Sequence, residues 1–266
     1  MDIVLSRILR FLNGALVMDT NYRIGTLIVK HYNKMKRYSL EDICIEGGFT
    51  KEEVLNFVKL LGFSTYEDFV DQLTADIELR NNEIQLRMIG LNLVDYFKDL
   101  NIKENEANFL AEIDDIVDDI YHANRIVIIG SHFPSCLAVD FQTDLINLGK
   151  NVIEYHHYDA FEFYEDDLVF FLTQTGRTMR RIDQQLVDAC IHRVNLVIIT
   201  QNPKIVSYKD VKAKHVLQVL GKYDGIQFNY QLMRIFDLLR IRYYYKYYID
   251  DDSIHYKGPA SLKSEG

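Results

Sequence analysis

Cysteine is scarce in this chain. Three occur in 266 residues, Cys44, Cys136 and Cys190, too few and too scattered for a disulfide framework or a thiolate metal centre. Each lies within an apolar pattern, so each is expected as a small buried core residue, and the chain is expected in a reducing cytoplasm. Hydrophobic runs are short as well. None approaches the roughly 20 residues that span a bilayer. The stretch from Ile3 to Leu16 is broken by Arg7, Arg10 and Asn13 at helical spacing, which predicts an amphipathic helix and no secretory signal. Only three prolines occur, Pro134, Pro203 and Pro259, and no Gly/Ser-rich tract separates one part of the chain from another. A surplus of positive charge is missing too. The formal net charge is −9, which excludes a general nucleic-acid-binding field and confines any DNA contact to local geometry.

What is present divides into two periods. From Met1 to about His122 the apolar residues recur at three and four, the spacing of helices. From Arg125 short β-rich runs alternate with helical stretches: Ile126–Ile129, Asn151–Tyr155, Leu168–Leu172, Leu196–Thr200 and His215–Val219. Strands separated in this way imply a parallel sheet of about five strands with helices on both faces. The expected division is an all-α domain over 1–78, a helical connection over 79–122, an α/β domain over 123–250 and a tail over 251–266. The acidic run Asp114, Asp115, Asp118 and Asp119 interleaves with Ile113, Ile116 and Ile120, so it reads as the solvated face of an amphipathic helix. The pair His156-His157 has no partner cluster, and neither feature predicts a metal. No cofactor is expected.

The N-terminal part carries a motif. Ser39 caps a short helix that Gly47-Gly48 stops, and Thr50 with Glu53 has the spacing of a capping box for the next one. Val54, Phe57, Val58 and Leu61 give that helix a single buried face, and Gly62 is placed to end it. Ser64 and Glu67 have the spacing of a further box. Two short helices around a glycine turn, preceded by a helix from Asn21 to His31, predict a helix-turn-helix. The second helix of such a unit reads bases from its outward positions, here Lys51, Glu52, Leu55, Asn56 and Lys59. Asn56 suits adenine, and the lysines suit guanine or phosphate. Residues 1–78 hold nine Lys/Arg against twelve Asp/Glu, so affinity must come from placement. Lys30, Lys34, Lys36 and Arg37 form a local basic cluster suited to phosphates.

The α/β part carries a second feature. Thr173-Gln174-Thr175-Gly176-Arg177-Thr178 follows the apolar run Leu168–Leu172, where a buried strand gives way to a helix. Unpaired N–H groups, the helix dipole, the hydroxyls of Thr173, Thr175 and Thr178, and the small Gly176 make that junction a seat for an anion.

The ordered combination resembles the RpiR/MurR family of bacterial transcriptional regulators, which join a helix-turn-helix to a sugar isomerase (SIS) domain. Ser39 to Leu73, with "FTKEEVLNFVKLLGF", is similar to the family's helix-turn-helix. "RIVIIGSHFPSCLAVDFQTDLINLGKNV" (125–152) is similar to the first SIS strand, loop and helix. "DDLVFFLTQTGRT" (166–178) is similar to the second strand and its Ser-x-Ser-Gly-x-Thr loop, and "NLVIITQNP" (195–203) to the next strand. His132 and Pro134 depart from the family's first loop, and Asn56 stands where the family commonly has Arg. The resemblance implies a cytoplasmic DNA-binding regulator, not an enzyme, that acts as a homodimer or tetramer on a DNA operator. It implies a phosphorylated sugar as effector, held by Ser131, His132 and Ser135 from the first loop and by Thr173, Thr175, Gly176 and Thr178 from the second. Two alternatives stay open: a regulator that has lost sugar or DNA binding, and a sugar-phosphate isomerase using Glu162, Glu165, His156 or His157 as base. The aromatic final helix, Phe228 to Tyr248, is expected to bury a dimer contact through Phe236, Leu238, Leu239, Tyr243 and Tyr244.

Overall fold

The structure, a computed structural model, describes residues 3–88, 97, 99–102, 105–130, 132–155, 161–177, 194–205, 212–222 and 225–249, with backbone alone at 87, 88 and 132–134. The helices are α1 (Val4–Gly14), α2 (Thr20–Lys30), a 3-10 turn (Tyr32–Arg37), α3 (Leu40–Gly47), α4 (Lys51–Leu60) and α5 (Tyr66–Met88). They are followed by α6 (Glu106–His122), β1 (Arg125–Gly130), α7 (His132–Asn147), β2 (Val152–Glu154), β3 (Asp167–Thr173), β4 (Asn195–Thr200), β5 (His215–Gln218) and α8 (Ile226–Tyr247). Each of the five expected strands forms. They make one parallel sheet in the order β2-β1-β3-β4-β5, with Ile126 beside both Val152 and Leu168, and Ile198 beside Val216.

Both faces of the sheet are buried, which is why its strands are apolar without alternation. On one face Ile126, Ile128, Leu168, Phe170, Val197 and Ile199 pack under α6, α7 and α8, with Phe141 of α7 stacked on Phe236 of α8 at 4.7 Å. On the other, Val127, Ile129, Val169, Phe171 and Ile198 meet Phe161, Phe163 and Ile205. The cover expected from 178–193 and 206–211 lies outside the described residues.

The N-terminal helices form as their caps dictate. Ser39 and Asp42 make a capping box at α3, Thr50 and Glu53 one at α4, and Gly48, at φ 68°, closes α3. Val54, Phe57 and Val58 are buried as their spacing predicts. α5 is continuous through Glu78, so the expected limit at 78 falls inside a helix.

Four expectations are corrected. The cap of α5 is Thr65, not Ser64: the Asp68 N–H donates to Thr65 Oγ1 at 3.0 Å. The turn that ends α4 runs on to Phe63, whose N–H donates to the Val58 carbonyl at 3.2 Å, and Ser64 is left as a spacer. The acidic run is not simply a solvated face. Asp114 pairs with Arg242, Asp118 with Lys246, and Asp119 with Lys214 and His215, so these carboxylates stitch α6 to α8 and β5. Cys136 is exposed, because the inward position of its turn is taken by Ser135, while Cys44 is only half-buried; Cys190 lies outside the described residues. Finally, Phe236, Leu238, Leu239 and Tyr243 are buried against the chain's own core and are not spare contact surface; the large apolar side chains that α8 exposes are Ile226, Tyr230, Met233.

Candidate functional site

A parallel sheet whose order reverses between β1 and β3 opens a crevice at the carboxyl ends of those two strands. Gly130, the last residue of β1, pairs with Leu172 of β3. The two loops singled out in the sequence, after Gly130 and after Leu172, therefore leave the sheet side by side.

The first loop turns at once into α7. A Cβ on Gly130 would sit 3.1 Å from Ser135 Oγ and 3.3 Å from the Ser135 amide nitrogen, so only glycine lets the helix start this close to the strand. Ser135 is buried under the crevice. Ser131 lies outside the described residues, as does the side chain of His132.

The second loop is held rigidly by its own polar groups. Thr173 Oγ1, 2% exposed, accepts the Gly176 N–H at 3.0 Å, and Gly176 takes φ 80°. Thr175 Oγ1 lies 3.4 Å from the Arg177 amide nitrogen. Next to it, β4 ends at Thr200 and the chain runs on through Gln201 and Asn202. Asn202 Nδ2 donates to the Thr175 carbonyl at 2.9 Å, the Gln201 N–H donates to the Gln174 carbonyl at 3.1 Å, and Gln174 Nε2 donates to Gln201 Oε1 at 3.1 Å. Buried Thr173 thus shapes the turn, whereas Thr175 is half-buried at the loop surface. Thr178 lies outside the described residues. The sequence reading missed the contribution of Gln174, Gln201 and Asn202. The signal present in the sequence was polar residues, Gln174 and Gln201-Asn202, directly after each of two apolar strand runs.

Two other sets of residues can be placed. Glu162 and Glu165 precede β3 and so stand at the amino end of the sheet, opposite the crevice; His156 and His157 lie outside the described residues. A cavity of about 650 Å³ also opens at that amino end, between α2 and the strand starts, lined among others by Tyr22, Arg23, Lys30, Glu46, Arg125 and Tyr164. Lys30 there is paired with Glu46, and Arg125 with Asp167.

The outward face of α4 is the second candidate surface. Lys51, Glu52, Asn56 and Lys59 are exposed and Leu55 is half-buried. Lys51 is engaged by Glu41 of α3, and Glu53 is occupied by its cap on Thr50. Among the described residues, Asn56 and Lys59 have no side-chain partner. No helix among the described residues is long and apolar enough to cross a membrane, and no described group of acidic, histidine and cysteine side chains is arranged to hold a metal.

No protein-family model matches the chain, and no curated protein does either. Solved structures do. The NanR protein of Vibrio vulnificus, complexed with ManNAc-6P, is 15% identical over 92% of this chain and 92% of its own, with a TM-score of 0.42. The sugar isomerase domain of an RpiR transcription factor from Sphaerobacter thermophilus is 16% identical over 62% of this chain and 90% of its own, at 0.40. A hypothetical protein of Methanococcus jannaschii, from whose structure a 3-hexulose-6-phosphate isomerase function was inferred, is 17% identical over 55% and 83%, at 0.45.

Proposed function

We propose that the chain is a transcriptional regulator that reads DNA with α4 and senses a phosphorylated sugar in the crevice between β1 and β3. The observation that carries the sensing half is the pairing of Gly130 with Leu172, which brings two loops distant in sequence together at the sheet's switch point. In this reading the phosphate is received by the hydroxyls of Thr175 and Thr178 together with Ser131, His132 and Ser135, while Thr173 fixes the turn by holding the Gly176 N–H and Gly176 lets the backbone approach the anion. A loop whose turn is already held by Thr173 suits a bound anion, because less remains to be ordered when it arrives. Glu162 and Glu165, at the far end of the sheet, stand away from this crevice, which removes two of the four candidate bases for isomerisation.

The reading half rests on the capped pair α3 and α4, joined by the three-residue turn 48–50, with Lys51, Glu52, Leu55, Asn56 and Lys59 outward. A palindromic operator then calls for two copies.

Calorimetry against hexose and amino-sugar phosphates, each beside its unphosphorylated parent, tests the sensing half: a heat of binding that requires the phosphate is expected. Gel shifts with DNA from the promoter next to the protein's own gene, at low salt, test the reading half. Silence in the first with binding in the second describes a regulator that has lost its sugar.

A further inference from the structure

The helix that starts at the effector loop also carries several polar contacts to the N-terminal helices. α7 begins at His132, and four of its residues reach out of the α/β layer. Gln142 Oε1 accepts from Asn13 of α1 at 2.8 Å. The Asn147 carbonyl accepts from Asn33 of the 3-10 turn at 2.7 Å, and Asn147 Nδ2 donates to Asn81 Oδ1 of α5 at 2.6 Å. Asp144, 1% exposed, takes Arg80 Nε of α5 at 3.0 Å, and the same guanidinium reaches Asp140 at 3.2 Å. From the other side Arg240 of α8 closes on Asp144 at 2.9 Å and on Asp140.

Two carboxylates one turn apart on α7 are thus clamped between one arginine of the N-terminal helices and one of the α/β layer. Such a cluster adds little net stability, because desolvation offsets most of the attraction, but it penalises every arrangement that leaves a buried charge unpaired. What it enforces is a single orientation. The apolar core is continuous across the same boundary, and apolar contact alone is tolerant of rotation; the polar contacts are not.

We propose that α7 is the coupling element between effector and DNA. Its first turn closes the phosphate crevice, and its Asp140–Asp144 pair, through Arg80, fixes the angle at which the N-terminal helices hold α4. The outward face of α4 remains exposed in this arrangement. The latch therefore sets where the reading helix points and does not cover it. In a two-fold assembly that angle determines the distance between the two reading helices, and hence the half-site spacing that fits. Effector binding that shifts α7 by a fraction of a turn changes the latch about 18 Å along the same rigid helix. This inference rests on the proposed sensing function for its trigger, but the latch exists without it.

The test uses hydrogen exchange on the full chain, in two arms. In the first, Arg80→Met removes the clamp while keeping a long apolar stem, and Arg80→Lys keeps the charge. Amides of α1 and α5 are expected to exchange at least tenfold faster in Arg80→Met, with β1 and β3 unchanged and Arg80→Lys in between. Equal acceleration everywhere would mean general destabilisation and overturn the latch, as would no change. Asn33→Ala, which touches the same boundary without stranding a buried charge, should show a smaller effect confined to the same helices. In the second arm fructose 6-phosphate is added at a concentration saturating by calorimetry. Binding accompanied by altered exchange in α5, lost in Arg80→Met, supports the coupling; binding with no change in α5 overturns it. If calorimetry shows no binding of this probe, the sugar reading is what suffers, and the first arm alone decides the latch.

Discussion

The two candidate surfaces are built in opposite ways. The crevice at β1 and β3 is made of backbone held by short polar side chains: Thr173 Oγ1 accepts the Gly176 N–H, and the Asn202 amide donates to the Thr175 carbonyl. The face of α4 is made of long exposed side chains, one of which, Lys51, is already neutralised by Glu41. A pre-ordered backbone seat binds a small anion with little loss of entropy, whereas mobile side chains suit a partner that supplies its own order and its own charge. Binding at the first surface is therefore fragile to changes in what lies beneath it, and binding at the second to changes in what lies beside it; stability follows a different order.

The largest expected effect comes from beneath α4. Phe57 is fully buried and meets Phe11 edge-on at 5.5 Å. Phe57→Ala should cost about 3–5 kcal/mol of stability. Because the buried residues of the helices and of one sheet face form one contiguous cluster, the loss should appear as a shift of a single urea transition followed by circular dichroism. Two separated transitions would show that the helices and the sheet unfold independently.

Next come the contacts themselves. Replacing Thr175 and Thr178 with Val should lower sugar-phosphate affinity at least tenfold, about 1.4 kcal/mol, with the melting temperature nearly unchanged. Asn202→Ala should do similar harm from outside the loop, since it releases the Thr175 carbonyl. Asn56→Ala should cost about 1–3 kcal/mol at the preferred DNA site and relax base choice there, leaving the salt dependence unaltered. Calorimetry and gel shifts at two salt concentrations separate these outcomes. A Thr175 variant that kept its affinity would place the anion elsewhere.

Much of this comparison was legible in the sequence, and the parts that were not share a cause. The strands and the Thr50–Glu53 box are local: a few adjacent residues fix them, and the structure places them where the pattern does. The cap of α5 was misread by one residue because Ser64-x-x-Glu67 and Thr65-x-x-Asp68 both fit the spacing. The tie is broken by how far the turn after α4 extends, and that depends on the Val58 carbonyl. The carboxylates of α6 looked solvated because their partners Arg242, Lys246 and Lys214 lie roughly a hundred residues away. Likewise nothing near Asp144 announces Arg80. Charge pairing between distant elements leaves no periodic trace, whereas burial does.

A smaller effect sharpens the electrostatic side of the comparison. Glu41→Gln removes the partner that holds Lys51, whose own proton is bound more tightly because of it. The freed ammonium should add roughly one phosphate contact. DNA affinity should rise at low salt, and the slope of log affinity against log salt should steepen by about 1. An unchanged slope in filter binding from 50 to 200 mM salt, a range over which the phosphate contribution changes by about a thousandfold or more, would show that Lys51 does not face the DNA.

The smallest effect concerns the support of α3. Glu46 accepts from Lys30 Nζ at 2.8 Å, His31 Nε2 at 2.8 Å and Tyr38 Oη at 2.7 Å, and these bonds, the Lys30 one foremost, push its carboxyl down to about 2. A carboxylate depressed in the folded state stabilises the fold at every pH above its ordinary value of 4.5, and that contribution fades as the pH falls toward about 2. The group is a third exposed, so water screens it, and the contribution should be no more than about 1 kcal/mol. Comparing Glu46→Gln with the parent by urea denaturation, the gap should be widest at neutral pH and low salt. It should narrow once the pH drops below 4.5, because the unfolded parent then takes up a proton that the folded parent does not accept until about 2. A gap that widened on acidification would mean that the ion cluster opposes folding, and α3 would owe its position to its other contacts, buried Ile43 and the Arg23 bond to the Gly47 carbonyl among them.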